Sequence, residues 1–420
     1  MGFACDYLND RTLFPQLIEE APREETGIIV IVPSFNEPDI LTVLNSLESC
    51  SVPPCGVEVL IIVNAPSGAD TEQLNNNRKT VSSAAAWKEN HPDAFFRLYV
   101  IDVTGKGPSG WGVGMARKTG MDEAVRRFDA LGNTEGVILS LDADCTVGGN
   151  YFAEVYGSLM KVRDRSGCSI CFEHPLRGDD FPPEVYRSVV LYELHLRYYF
   201  RALLRTGYPH VHHTVGSAIA VKAVSYVRSG GMNRRQAGED FYFVQKLVQA
   251  GGFFNLNTTI VYPSPRVSYR VPFGTGPAVA KMLNKKDDDF LSYNPSAFAE
   301  LEWLFGRTRD LYGLDDRELG SFHDRLPGGL KNFIGPEEWL SKINEIKNNT
   351  SGPESFLKRF YIWFNMFKVV KYLNFVHNGQ LDKRPVVRSA SELVSSMGAS
   401  YVPDDPEELL FCYRIMERFA

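Results

Sequence analysis

The chain predicts an α/β protein whose first two-thirds carry a sheet, and three observations say so. Short apolar runs recur at residues 27–33, 57–63, 96–102 and 136–142, each long enough for one strand. Stretches with apolar residues at helical spacing separate them. Polar or acidic residues follow the apolar runs. Near-continuous apolar runs are the pattern of strands covered on both faces, and strands alternating with helices of this length close into parallel pairs through right-handed crossovers.

Taken in order, residues 27–33 form a first strand that ends at Pro33 and turns through Ser34-Phe-Asn-Glu37 into a helix over 39–47. Residues 57–63 form a second strand ending at Asn64, with a helical stretch running on through Trp87. Residues 96–102 form a third, followed by a helix over 115–131. The fourth strand, 136–142, runs directly into Asp142 and Asp144. Beyond residue 150 the pattern changes to a long helix over 185–204, rich in aromatics and arginines, and then a strand over 214–221. The polar, glycine-containing loop 229–240 opens an amphipathic helix, because Phe241, Val244, Leu247 and Val248 recur on one face, and this places Glu239 and Asp240 in its first turn. Residues 297–312, 337–347, 357–376 and 407–419 read as helices. The expected division is a catalytic domain over 1–276 and a mainly helical extension over 277–420.

Composition narrows the function classes. With 420 residues, 44% hydrophobic and 23% charged, the chain is long enough for about two domains. A net charge of −6 without a basic patch argues against nucleic acid as a partner. Seven scattered cysteines form no disulfide framework, and Cys168-x-x-Cys171 lacks a second pair for zinc, so they read as reduced thiols in a cytoplasm. No secretory leader and no uncharged run long enough to span a bilayer stands out. Residues 357–376 interleave aromatics with Lys358, Arg359, Lys368 and Lys371. A core helix with snorkelling lysines is the plainer reading, and an interfacial helix at a membrane surface is the other.

The chemistry gathers at strand ends, where open α/β sheets bind ligands. Asp142 and Asp144, one residue apart, can share a hard divalent cation, since magnesium-type sites use one or two carboxylates and complete the shell with substrate phosphates. Read alone, each acidic pair has a plain structural explanation: the aspartates as turn or cap residues, Glu239 and Asp240 as acids complementing a helix dipole. Residues 105–114 contain G-x-G-x-x-G at Gly105–Gly110, with Lys106 inside it and Arg117 in the helix beyond. A dinucleotide-dependent oxidoreductase is the rival this raises, although such a fingerprint belongs in the first unit of its domain. A glycine-rich loop at a helix start can also cradle phosphates. His210, His212 and His213 read as loop hydrogen-bonding residues or, less simply, as metal ligands.

Together the segments resemble a family 2-type glycosyltransferase of the GT-A fold over about residues 27–272. The resemblance is carried by Val30-Ile-Val-Pro-Ser-Phe-Asn-Glu37, Ala116-Arg-Lys-Thr-Gly120, Leu141-Asp-Ala-Asp144 and Gly238-Glu-Asp240. It implies a Rossmann-like mixed sheet sandwiched by helices. It further implies a nucleotide-diphosphate sugar as donor, a carbohydrate or lipid-linked acceptor, and a manganese or magnesium ion. Position by position, Pro33, Ser34 and Glu37 match the nucleotide-binding first loop, and Arg117 the basic residue after the third strand. Asp142 and Asp144 match the pair holding ribose, metal and diphosphate, and Asp240 the general base, with Glu239 beside it for charge tuning or acceptor binding. Asn64-Ala65 departs from the paired aspartates usual after the second strand, which leaves the nucleobase unread. Gln245-Lys-Leu247 departs from the processive Q-x-x-R-W pattern and favours single transfer, while a general base at Asp240, with the acceptor oxygen attacking from the opposite face of the sugar, implies inversion at the anomeric centre. A cytoplasmic enzyme, open to peripheral membrane contact and to homodimer formation, is the remaining expectation. A non-catalytic nucleotide-sugar-binding protein is the non-enzymatic alternative.

Overall fold

The computed structural model describes residues 2–106, 112–233, 238–268, 274–285 and 289–419. It divides into two compact units, the first comprising residues 1–182, 212–277 and 417–420, and the second 183–211 and 278–416. The helix expected over 185–204 thus groups with the C-terminal segment, whereas a linear division had placed it with the sheet.

The first unit is built on one eight-stranded mixed sheet flanked by helices. Its strands are β1 (Thr26–Ser34), β2 (Gly56–Val63), β3 (Phe96–Asp102), β4 (Val137–Ser140), β5 (Thr146–Val147), β6 (Gly167–Phe172), β7 (Ile219–Lys222) and β8 (Phe253–Tyr262). They lie in the order β3-β2-β1-β4-β7-β6-β8-β5. β1 pairs in parallel with β2 and β4, and β2 with β3. β7 is antiparallel to both β4 and β6, which makes β6 parallel to β4, and β8 is parallel to β6. The carboxyl ends of β1, β2, β3, β4, β6 and β8 therefore share one edge of the sheet, and β7 starts from that edge.

The helices of this unit are α1 (Cys5–Asp10), α2 (Leu41–Glu48), α3 (Thr71–Asn90), α4 (Val113–Ala130) and α5 (Tyr151–Val155); further along the chain come α6 (Pro183–Arg205), of the second unit, then α7 (Ala223–Arg228) and α8 (Glu239–Ala250) of the first. All nine residues of β1 are buried. Met121, Ala124, Val125 and Phe128 of α4 belong to the same core as Ile29, Ile31, Leu60 and Ile62, each large side chain contributing roughly 1.5–3 kcal/mol by leaving water. α3 is started by a capping box in which Asp70 accepts from the Gln73 amide at 2.8 Å and the Gln73 side chain accepts from the Asp70 amide at 3.1 Å.

α4 is anchored by buried polar groups as well. Asp122 accepts from Tyr7 at 2.7 Å and from Tyr226 at 2.9 Å, and pairs with Lys118 at 2.9 Å. This ties α1 and α7 to the helix that carries Arg117. One turn further, Arg127 holds the buried Glu58 of β2. Each such group is acceptable inside only because it is paired.

Several elements differ from expectation. β6 and β8 were not anticipated. The strand over 214–221 shortens to Ile219–Lys222, its first residues forming an irregular approach. In the second unit, residues 297–312 become an α-helix over Pro295–Phe305 and a 3₁₀ turn over Thr308–Gly313. Residues 357–376 are two helices, Pro353–Trp363 and Met366–Val376, because Asn365 caps the second by accepting from the Lys368 amide at 3.2 Å. Phe356, Phe360, Phe364 and Tyr372 point into the core, while Ile362 and Phe375 are exposed. Within this unit Glu193 of α6 bridges Arg197, at 2.7 Å, and Arg414, at 2.8 and 2.7 Å. Among the described residues no helix is long and apolar enough to cross a membrane.

Candidate active site

β4 ends at Ser140, and the chain then makes a turn in which the Cys145 amide donates to the Asp142 carbonyl at 3.1 Å. This turn presents Asp142 and Asp144 at the shared strand edge, with their side chains 35% and 23% exposed. α8 begins there too. Gly238, immediately before it, has a φ of +71°, a left-handed conformation that a glycine adopts without a Cβ clash. The turn sets Glu239 inward, its side chain 2% exposed, with Asp240 beside it. Asp240 accepts from the Phe241 amide at 2.7 Å.

Two arginines organise these acids. Arg117, in α4, is buried, and its two terminal nitrogens go to different carboxylates, one to Asp142 and one to Glu239. Its guanidinium lies against the backbone of Gly216, where an added Cβ would come within 2.6 Å of Nη1. Arg266 approaches from the irregular segment after β8. It makes a bidentate pair with Glu37, at 2.7 and 2.6 Å, and its Nε reaches Asp144 at 2.8 Å. Glu37, Asp142, Asp144, Glu239 and Asp240 set five carboxylates against two guanidinium groups, so the cluster stays strongly acidic when ionised.

The electrostatics separate the two neighbours at the start of α8. Burial, reinforced by the charge of Glu239, pushes Asp240 up to about 6, and Arg117 only partly opposes this. Burial alone would lower Arg117, yet the charges of Asp142, Glu239 and Asp240 outweigh it and hold the guanidinium raised. Asp240 is therefore a carboxylate raised towards the range in which it could exchange a proton, next to a carboxylate paired with Arg117.

The expected nucleotide side is also assembled from strand ends. Pro33 and Ser34 close β1, and the buried Ser34 hydroxyl has no hydrogen-bond partner among the described residues. Asn64 follows β2, donating its amide to the Ser34 carbonyl at 3.1 Å. Asn77 of α3 fastens the two loops, accepting from the Asn36 amide at 2.9 Å and donating to the Asn64 carbonyl at 2.8 Å. Asn36 has a φ of +51°, and its side chain accepts from Asn76 at 2.7 Å. Lys106 stands apart: it is exposed and lines a cavity of about 440 Å³ with Tyr99, Ala84 and Asp102, a lining that includes none of the five acids. Gly107 and Gly110 of the glycine-rich motif lie outside the described residues.

Sequence reasoning placed the acids but missed Gly216, Asn36, Asn76 and Asn77. Asn36 had a signal, since asparagine is enriched in left-handed turns. Gly216 had only the small residues Gly216-Ser-Ala218 ahead of a strand. His212 and His213 are hydrogen-bonding groups here: His212 meets Asn255 at 2.9 Å and His213 meets Glu417 at 3.1 Å, while the His210 ring packs edge-on against Tyr208. Among the described residues no group of three or more His, Cys, Asp or Glu side chains could hold a metal. Asp142 and Asp144 nevertheless suit a hard cation whose remaining positions are filled by phosphates and water, because such an ion needs only one or two protein carboxylates.

The chain is similar to several solved structures at low identity. One is S. aureus TarS 1–349 in complex with UDP-GlcNAc, at 14% identity, covering 80% of this chain and 91% of that one, with a TM-score of 0.37. A second is the mannosyltransferase PcManGT from Pyrobaculum calidifontis in complex with GDP-Man and Mn²⁺, at 15% identity over 99% and 92% of the two chains, TM-score 0.38. A third is glucosyl-3-phosphoglycerate synthase from Mycobacterium tuberculosis in complex with UDP, at 13% over 67% and 91%, TM-score 0.34. Likeness at this level carries no argument for activity. No protein-family model matches the chain, and no curated protein does.

Proposed function

We propose that the protein is a metal-dependent, inverting glycosyltransferase of the GT-A type, moving a sugar from a nucleotide-diphosphate sugar to an acceptor hydroxyl. The observation that carries this reading is the pairing of Asp240, raised to about 6, with the Asp142–Asp144 turn on one strand edge. In this reading Asp240 takes the proton of the acceptor hydroxyl. The acceptor oxygen forms its bond to the anomeric carbon from the face opposite the diphosphate, the bond from that carbon to the diphosphate oxygen breaks, and the configuration inverts. Positioned base catalysis of this kind contributes about 10²–10⁴-fold. Glu239, held by Arg117, lies beside the base.

Asp142 and Asp144 would hold a divalent manganese or magnesium ion, which supplies Lewis-acid neutralisation of the departing diphosphate. Pro33, Ser34, Glu37 and Asn64 form the nucleotide side. A neutral amide at Asn64 leaves the nucleobase open, and a carbohydrate or lipid-linked hydroxyl is the acceptor class.

The test is a thermal-shift panel of nucleotide sugars with and without manganese, followed by product analysis with the donor that binds. Asp240→Asn should still bind the donor while turnover drops by about 10²-fold or more. Undiminished transfer by both Asp240→Asn and Asp144→Ala would sink the reading.

A further inference from the structure

Arg117 was expected to meet the diphosphate, but its surroundings suit another task. Both terminal nitrogens are committed to carboxylates, and its side chain is 5% exposed. Those carboxylates come from elements 25 and 122 residues away in the chain. The flat guanidinium fits its seat only because residue 216 has no side chain; a Cβ there would sit 2.6–2.7 Å from three of its atoms. The helix beneath is held in turn by the Tyr7–Lys118–Asp122–Tyr226 network.

We propose that Arg117, seated on Gly216, is the positioning residue of the site, fixing the Asp142 turn and the first turn of α8 relative to one another rather than binding the donor. The proposal rests on the transferase reading and deepens it: donor-side and base-side acids are spaced by one rigid fork. A guanidinium suits this because its donors diverge at fixed angles, whereas an ammonium is a single point charge. Without it, Asp142, Glu239 and Asp240 would repel one another, and the start of α8 would lose the fork that ties it to the β4 turn. Gly216 becomes a residue on which the reaction geometry depends, although it touches no reactant.

The experiment is hydrogen exchange on the full chain as parent, Arg117→Lys and Gly216→Ala, with UDP and GDP binding and steady-state kinetics on the same proteins. Peptides covering residues 140–146 and 238–244 should exchange about tenfold faster in both variants, with β1 and β2 unchanged. Affinity for UDP or GDP measured without a divalent ion should stay within about threefold of the parent, because Arg117 is not a nucleotide ligand, while kcat falls about 10²-fold, the scale of a misplacement near 1 Å. Unchanged exchange at both peptides overturns the proposal, as does a loss of nucleotide affinity without any change in exchange, which would make Arg117 a diphosphate ligand. Should Gly216→Ala fail to fold, Arg117→Lys decides alone. A parent that forms no glycoside would sink the transferase reading, while the exchange result would still decide the positioning role.

Discussion

The two arginine centres of the site do similar electrostatic work in different settings. Arg117 springs from a helix, is 5% exposed and bridges Asp142 and the buried Glu239 over a glycine seat. Arg266 comes from an irregular segment, is 17% exposed and clasps Glu37 and Asp144. The Arg117–Glu239 pair is buried on both sides, with no water to replace it, so breaking it leaves Glu239 stranded. In the Arg266 clasp Asp144 is 23% exposed, and there a cation or a diphosphate can take over from the arginine at a lower cost. The contrast separates a permanent frame from a contact that substrate can exchange.

Three substitution experiments sharpen or break that contrast. The largest effect is expected for Arg117→Met, which should cost about 3–5 kcal/mol in denaturant unfolding by leaving the buried Glu239 without its counter-ion; a loss below about 1 kcal/mol would remove the distinction. Arg266→Ala should cost less, about 1.5 kcal/mol for its charge-assisted hydrogen bonds to Glu37, and should strengthen manganese binding measured by electron paramagnetic resonance without nucleotide. The smallest effect is on pH dependence. A base must be deprotonated to act, so kcat/KM should fall as pH drops through the Asp240 value of about 6. Arg117 lowers that value, so Arg117→Met should move the acid limb upward, while Arg266→Ala leaves it in place.

Much of the first unit was legible because its strands announce themselves. β1 to β4 are apolar runs with a turn or helix after each, and their ends place Glu37, Asn64 and Asp142 on one edge once the strands are parallel. β6 and β8 were not legible. Gly167-Cys-Ser-Ile-Cys-Phe172 is short and mixed, and Phe253 to Tyr262 carries Asn255, Asn257, Thr258 and Thr259 among its apolar residues. Strands of that kind are stabilised by neighbours rather than by pattern. The paired helices at 353–376 were read as one because apolar spacing continues across Asn365, whose capping role depends on a backbone turn. The grouping of 183–211 with the C-terminal segment likewise depends on packing between distant stretches of chain.

By itself, the sequence determined the strand–helix alternation, the acidic turn after β4 and the acids opening α8. Those are local matters of hydrophobic period, turn residues and helix starts, and they act over a few residues. Only the tertiary structure decided which arginine serves which carboxylate, that Gly216 lies against the Arg117 guanidinium, and that burial together with the charge of Glu239 raises Asp240 to about 6. These depend on burial and on distances between groups up to 229 residues apart, and neither quantity is written in the order of the residues.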